Sequence, residues 1–414
     1  MNGYVVRTEL YKIFSKKYLY AVAAFFVVFI FLLTAQFVDS VEVRYPLAQF
    51  RDIAAKAGKD DEFIRKAAAL DKKLQDSGKG FDFVSEDMKA ILPKSIVSYT
   101  EQFRGKIAEG GTSVADILNR DAIDEIQWYR ERLDDRRAQT EKLKSELDSM
   151  QNRGTTGSFA YKTAEREYRL YTTAPEIRPN VTNWEEFVDL NHAYLPLCIA
   201  FLVILGLCGI YSDEYANKTQ SELLTSRNGR AGVFGDKLIA GFLYTAVVVT
   251  FFQLAGFGIY AAVYGLPGED ISLASLPWFY MSPYHLSART YYFFQIFGSF
   301  LGAFALAAIV MCLSSLAKNA LPPFFVSGVV FVSGLFLRKA STFGSGGNTL
   351  FTLPAQLSIF MTMSLKEIAA RFRAVDLFGI PVSTVWVNLC VTTLVIMAAL
   401  LLCFRFYTKK QVKN

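Results

Sequence analysis

The chain reads as an all-α polytopic membrane protein: six transmembrane helices, an N-terminal interfacial helix, a helical extracellular domain between spans 1 and 2, and a re-entrant segment between spans 5 and 6. Three observations predict this. Of 414 residues, 52% are hydrophobic and 15% aromatic, too apolar for an ordinary soluble protein. Uncharged apolar runs of about 20 residues, the length that crosses a bilayer core, recur along the chain. Charge is segregated, because residues 39–192 hold 25 of the 44 Lys+Arg and 29 of the 38 Asp+Glu. The overall +6 therefore belongs to membrane flanks and not to a nucleic-acid surface.

Residues 1–17 place Val6, Leu10, Ile13 and Phe14 at helical spacing among Arg7, Lys12, Lys16 and Lys17. That pattern suits a helix lying in the interface, apolar stripe in lipid and cations on headgroups. Residues 18–38 carry no charge and form the first span; the run is longer than a signal-peptide core and no small-residue cleavage site follows it. Residues 39–192 read as helical. The stretch 49–75 is rich in Ala, Lys, Asp and Glu, and 121–150 sets Ile126, Tyr129, Leu133, Leu143, Leu147 and Met150 on a seam broken by Arg136 and Thr140. GGTS at Gly110 and NRGTTGS at Asn152 separate the helices.

The second span is 193–211 and the third 238–264, joined by a polar, helix-patterned loop at 212–237. An aromatic, proline-containing loop (265–290) suits the headgroup level and leads to the fourth span at 291–316. Asn319, Pro322 and Pro323 suit a tight turn into the fifth span at 321–337. In 338–381, the apolar piece 351–365 is too short to cross and reads as re-entrant. Behind it, Ser364 and Glu367 have capping-box spacing, and Leu365, Ile368, Phe372 and Val375 form a stripe, predicting an amphipathic surface helix stopped by Gly379 and Pro381. Residues 382–404 are the sixth span and 405–414 a basic tail. Short flanks on the side of the termini hold thirteen Lys+Arg against six on the other, which orients both termini and the 212–237 loop toward the cytoplasm of a cell-membrane protein and leaves 39–192 outside.

Site chemistry is sparse. The two histidines, His192 and His285, stand far from any Cys or carboxylate cluster, and the five cysteines (Cys198, Cys208, Cys312, Cys390, Cys403) lie in apolar runs without paired spacing. No cofactor, metal or catalytic constellation is expected. GRAGVFGDK at 229–237 lacks the spacing of a phosphate-binding loop. The spans hold Gln36, Gln253, Gln295 and Asn388 but almost no ionisable group of the kind that ion-coupled transporters use as relays. Energy for transport would have to come from another subunit.

An interfacial N-terminal helix, a first span, and second and third spans joined by a helical loop together resemble the permease subunit of an ABC-2 type ABC transporter. Within the loop, Glu214, Thr219, Leu223, Leu224, Arg230 and Lys237 match the family pattern, while Lys218 stands where Gly is frequent and Arg227 where Pro is. The resemblance covers the membrane portion; the domain after span 1 is an insertion that some members carry. It implies a non-catalytic permease working as a dimer, homo- or hetero-, with two copies of a separate ABC ATPase. It further implies a loop that docks on the ATPase as a coupling helix, with Leu223 and Leu224 as anchors and Glu214, Arg227 and Arg230 at the rim. The 351–365 segment would be the outer plug. A path poor in charge and rich in Phe suits an amphiphile such as a peptide, lipid-like molecule or antibiotic, exported through the permease, with membrane lipid as a further partner. Two other classes compete: a membrane-anchored sensor or scaffold acting through 39–192, and a secondary transporter or channel.

Overall fold

The computed structural model describes residues 3–39, 61–77, 85–92, 94–103, 105, 114–174, 177, 184–216, 229–264, 270–342 and 349–409. The protein is mostly helical, and six helical stretches are long and apolar enough to cross a membrane: Lys17–Ala35, Phe187–Glu214, Gly232–Val263, Ala288–Leu316, Leu321–Lys339 and Thr384–Tyr407. The chain divides into two compact units, one made of 1–36, 184–266 and 289–414, the other of 37–183 and 267–288.

The first unit contains all the spans. Helix α1 (Gly3–Phe14) is one-sided as expected, but its stripe does not turn to lipid: Val6, Glu9 and Ile13 are buried, the helix packs on the 229–264 helix, and Tyr4 and Tyr11 are exposed. Helix α2 (Lys17–Asp39) is the first span; its Phe26 meets Phe201 and Phe252 edge-on. In the polar unit come α3 (Asp61–Ser77), α4 (Ser85–Ile91), α5 (Lys94–Thr100), α6 (Val114–Asn152) and α7 (Phe159–Thr173).

Back in the membrane unit, α8 (Trp184–Asp189) runs through a π-helical turn at Leu190–Tyr194 into α9 (Leu195–Leu207), and α10 (Ser212–Ala216) ends the described part of this arm. The remaining long helices are α11 (Gly229–Tyr264), α12 (Ala288–Leu316) and α13 (Leu321–Thr342). Helix α11 begins well ahead of the expected start at 238, so Lys237 lies in its third turn and not at a loop border.

Two short helices, α14 (Thr349–Gln356) and α15 (Ile359–Ser364), pack back against α13. Their seat is carved by glycine. A Cβ on Gly298 of α12 would stand 2.5 Å from the Thr362 carbonyl oxygen, and one on Gly302 would stand 2.4 Å from Met363 Cγ. This small-xxx-small stripe lets the α15 backbone approach α12 closely, the usual means of bringing helices together where lipid removes the hydrophobic drive.

The amphipathic helix expected after Ser364 is corrected. Leu365 adopts φ 52° and breaks the helix, Ser364 is buried, and the capping box does not form because the N-cap position of α16 (Lys366–Ala370) is Leu365. Glu367 is instead ion-paired with Arg338. Beyond α16 the chain extends into an antiparallel hairpin, β1 (Ala374–Leu377) with β2 (Ile380–Ser383), so the chain is not purely helical. Leu377 pairs with Ile380 across a two-residue turn in which Phe378 and Gly379 both have positive φ, and Asp376 Oδ1 accepts from the Gly379 amide at 2.6 Å. That is the turn geometry matching strand twist, with Gly379 supplying the freedom at its second position. Helix α17 (Thr384–Lys409) is the sixth span.

In the polar unit, α6 is about 58 Å long at 1.5 Å per residue. It folds back on α7 through a turn in which Gly154 takes φ 69° and Ser158 caps α7 by accepting from the Tyr161 amide. Their seam buries Leu143, Ala164 and Tyr171, with Leu147 and Tyr168 alongside. The expected seam residue Tyr129 is buried and donates to the Ile177 carbonyl at 2.9 Å, while Ile126 falls outside the described side chains. Residues 267–288 belong to this same unit: Leu273, Leu276 and Phe279 are buried, and Tyr171 donates to the Met281 carbonyl at 2.9 Å.

Candidate functional site: a buried lysine at the root of the polar connection

Helix α11 carries Lys237 on the face turned toward α1 and the end of the second span, where it is 1% exposed. Its Nζ stands 2.6 Å from Glu214 Oε1 and 3.1 Å from Glu9 Oε2, and donates at 2.7 Å to the Ile210 carbonyl. The Tyr211 ring lies 5.5 Å from the ammonium. The second oxygen of Glu9 receives Lys12 Nζ at 2.6 Å, so Glu9 bridges two lysines. Two ammonium groups thus face two carboxylates and the cluster is neutral.

Such a cluster is costly to bury and holds only because partners surround each charge. Glu9 displays the balance. Burial pushes its carboxyl pKa up, but the fields and hydrogen bonds of Lys237 and Lys12 outweigh burial and hold it below the ordinary glutamate value. Alongside, Lys16 Nζ lies 3.5 Å from Asp213 Oδ2. Gly209 makes room for that carboxylate, since a Cβ there would meet Asp213 Oδ2 at 2.2 Å. The amides of Tyr211 and Ser212 both donate to Ser314 Oγ, at 3.1 and 3.2 Å.

The result is mechanical. One lysine gathers the N-terminal helix, the exit of the second span and the start of the third-span helix. The two helices that flank the connection between spans 2 and 3 are thereby tied together: Glu214 at the exit of the second span and Lys237 in the third turn of α11 are in contact. Of the residues the sequence singles out, Glu214 is buried in this cluster and faces inward to Lys237. Thr219, Leu223, Leu224 and Arg227, with Lys218, lie outside the described residues; Arg230 falls in the first turn of α11, with its side chain outside the description. Sequence reasoning did not find Glu9, which is 228 positions from Lys237; the available signal was a lone carboxylate at the spacing of Val6 and Ile13 on an otherwise basic helix.

Elsewhere in the unit, three of the four polar span residues lie in the interior. Gln253 Nε2 donates to Ser299 Oγ at 3.2 Å, which donates to the Met363 carbonyl at 3.1 Å. Asn388 accepts from Thr362 Oγ1 at 3.0 Å and donates to the Gln356 carbonyl at 2.7 Å, anchoring the ends of α14 and α15 to the sixth span. Gln295 is 1% exposed; the Gln36 side chain lies outside the described residues. Lys366, 5% exposed, is ion-paired with Asp189. His192 is buried with its ring 6.1 Å from Phe360, and His285 is exposed. Cys198, Cys208, Cys312 and Cys403 are buried free thiols and Cys390 an exposed one. Among the described residues no group of three or more His, Cys, Asp or Glu could hold a metal ion.

No protein-family model matches the chain, and no curated protein matches it.

Proposed function

We propose that this chain is the membrane subunit of an ATP-driven exporter of the ABC-2 permease kind, working as a dimer, with the connection between spans 2 and 3 as the handle for a separate ATPase. The observation that carries the reading is the buried Lys237 cluster. A loop that must transmit force needs both feet fixed to rigid helices, and here Glu214 and Lys237 clamp those feet together while Glu9 ties them to α1. Motion applied to the connection would then reach α9, α11 and α1 together instead of being absorbed at a flexible hinge. The apolar runs 18–38, 193–211, 238–264, 291–316, 321–337 and 382–404 hold no Asp, Glu, Lys or Arg, which agrees with an external energy source.

In this reading Leu223 and Leu224 enter an apolar groove on the ATPase, with Thr219, Arg227 and Arg230 around them and Glu214 positioning the loop from beneath. The termini and the handle face the cytoplasm, and the 39–192 domain lies outside. The short α14–α15 hairpin, held against the fourth, fifth and sixth spans, closes the outer end of the path, and the cargo is an amphiphile. The chain itself hydrolyses nothing.

The test is co-purification from native membranes. Tagged wild-type chain is expected to bring down an ATP-hydrolysing subunit, and the Leu223→Asp/Leu224→Asp variant, folded and membrane-inserted, is expected to lose it. Equal ATPase recovery with both chains would overturn the docking assignment; cargo movement by the chain alone in vesicles would overturn the reading altogether.

A further inference from the structure

The polar unit contains a cleft that the transport reading does not use. Trp128, Glu131, Arg132 and Asp135 recur at helical spacing on one face of α6, and Tyr280 from the 267–288 segment faces them. Together they line a cleft of about 370 Å³. The Tyr280 hydroxyl donates to Asp135 Oδ2 at 3.4 Å and sets the phenol beside that carboxylate. Trp128 is 54% exposed, an indole standing open in the wall of a charged unit. Glu131 has no ion-pair partner among the described residues.

We propose that this cleft binds an organic cation, an ammonium or guanidinium group seated against the Trp128 ring between Glu131 and Asp135. Two aromatic walls present electron-rich faces, and indole is the best of the side chains for cation–π attraction. Two carboxylates against the one guanidinium of Arg132 leave the lining at net −1, so an anion is repelled. The open mouth suits a headgroup or side-chain terminus on a larger molecule. The inference does not depend on the transport reading, since it concerns binding by the polar unit alone.

The experiment uses the full chain labelled with 5-fluorotryptophan in nanodiscs of phosphatidylglycerol. Its four tryptophans (Trp128, Trp184, Trp278, Trp386) give four ¹⁹F resonances, and Trp128→Phe assigns the one of interest. Tetramethylammonium chloride is expected to shift the Trp128 resonance saturably, and Glu131→Gln/Asp135→Asn is expected to raise the midpoint about a hundredfold, the loss of two charge-assisted contacts at about tenfold each. Because both substitutions are on an exposed helix face, unchanged hydrogen exchange along α6 checks the fold. A Trp128 shift on exchanging phosphatidylglycerol for phosphatidylcholine, before any soluble cation is added, assigns the cation to a lipid headgroup; saturation by the soluble ion alone assigns it to a soluble ligand. The proposal fails if neither cation source moves Trp128, if tert-butanol, the neutral isostere, shifts it equally, or if the double variant titrates like wild type.

Discussion

The two units handle charge in opposite ways. In the membrane unit ionised groups are few and the central ones buried: Lys237, Glu9 and Glu214 are each under a tenth exposed and each touches its counter-charge. In the polar unit they are many and mostly solvated, as in the i,i+4 pairs Arg130–Asp134 at 3.1 Å and Lys142–Glu146 at 4.0 Å along α6. An exposed pair of that kind contributes about 0.3–0.5 kcal/mol, because water already serves both ions. A buried pair has no such fallback, so removing one member leaves the other stranded. The fewest charges therefore constrain the fold most, and they sit where the proposed handle is rooted.

The largest effect expected from breaking this contrast is at Lys237. Lys237→Met keeps the volume but strands the buried Glu214 carboxylate and leaves Glu9 with Lys12 alone, and should destabilise the membrane unit by about 3–5 kcal/mol in reversible unfolding from mixed micelles. Adding Glu9→Gln and Glu214→Gln should restore much of that loss, because the stranded charge and not the missing contact sets the cost. A single variant within about 1 kcal/mol of wild type would mean that the cluster is as dispensable as the α6 pairs.

A smaller effect tests close approach in place of charge. Gly298→Ala places a methyl 2.5 Å from the Thr362 carbonyl oxygen, a backbone atom that cannot swing aside. Separating α12 from α15 should cost about 1–3 kcal/mol. The same substitution at Gly258, where a Cβ meets nothing within 4 Å, should change stability by under about 0.5 kcal/mol, so the pair of variants separates packing from helix propensity.

How much of this was legible in the sequence follows the same division. Apolar length marks a span regardless of what the helix touches, so six helices of spanning length stand near the expected runs; of the α6–α7 seam, local periodicity gave Leu143 and Leu147 on α6 but not Ala164, Tyr168 and Tyr171 on α7. What was hidden depended on distant partners. Glu214 reads from the resemblance as a rim residue of the docking loop, yet its carboxylate meets Lys237, and Glu9 reaches the same lysine from the other end of the chain. The 374–383 hairpin was missed because Val375 extends a helical stripe, whereas Val375 opposite Val382 and Leu377 opposite Ile380 make equally good strand pairs. Phe378 disguised the turn, since a bulky residue with positive φ lacks the Asn or Asp that normally announces it.

Acid should move the two units in opposite directions, the subtlest of these effects. Glu9 has a folded-state pKa below its unfolded value of 4.5, so it contributes stability that is fully present above 4.5 and is lost as pH falls through the folded value. Glu167 and Asp124 of the polar unit behave inversely. Burial raises Glu167, and Glu146 adds to this against a hydrogen bond from Gln139; burial also raises Asp124 against the pull of Arg120. Ionised at neutral pH, both cost stability, and that cost disappears as pH falls through their raised values toward 4.5 and 3.8. Hydrogen exchange corrected for intrinsic rate should therefore show protection of α7 rising on mild acidification while α1 is unchanged, followed by loss of protection in α1 below about pH 4.5. Glu9→Gln should abolish the second step and leave the first. If α1 loosens at the same pH in that variant, the acid response of the membrane unit originates elsewhere, and Glu9 is not the group through which α1 holds Lys237.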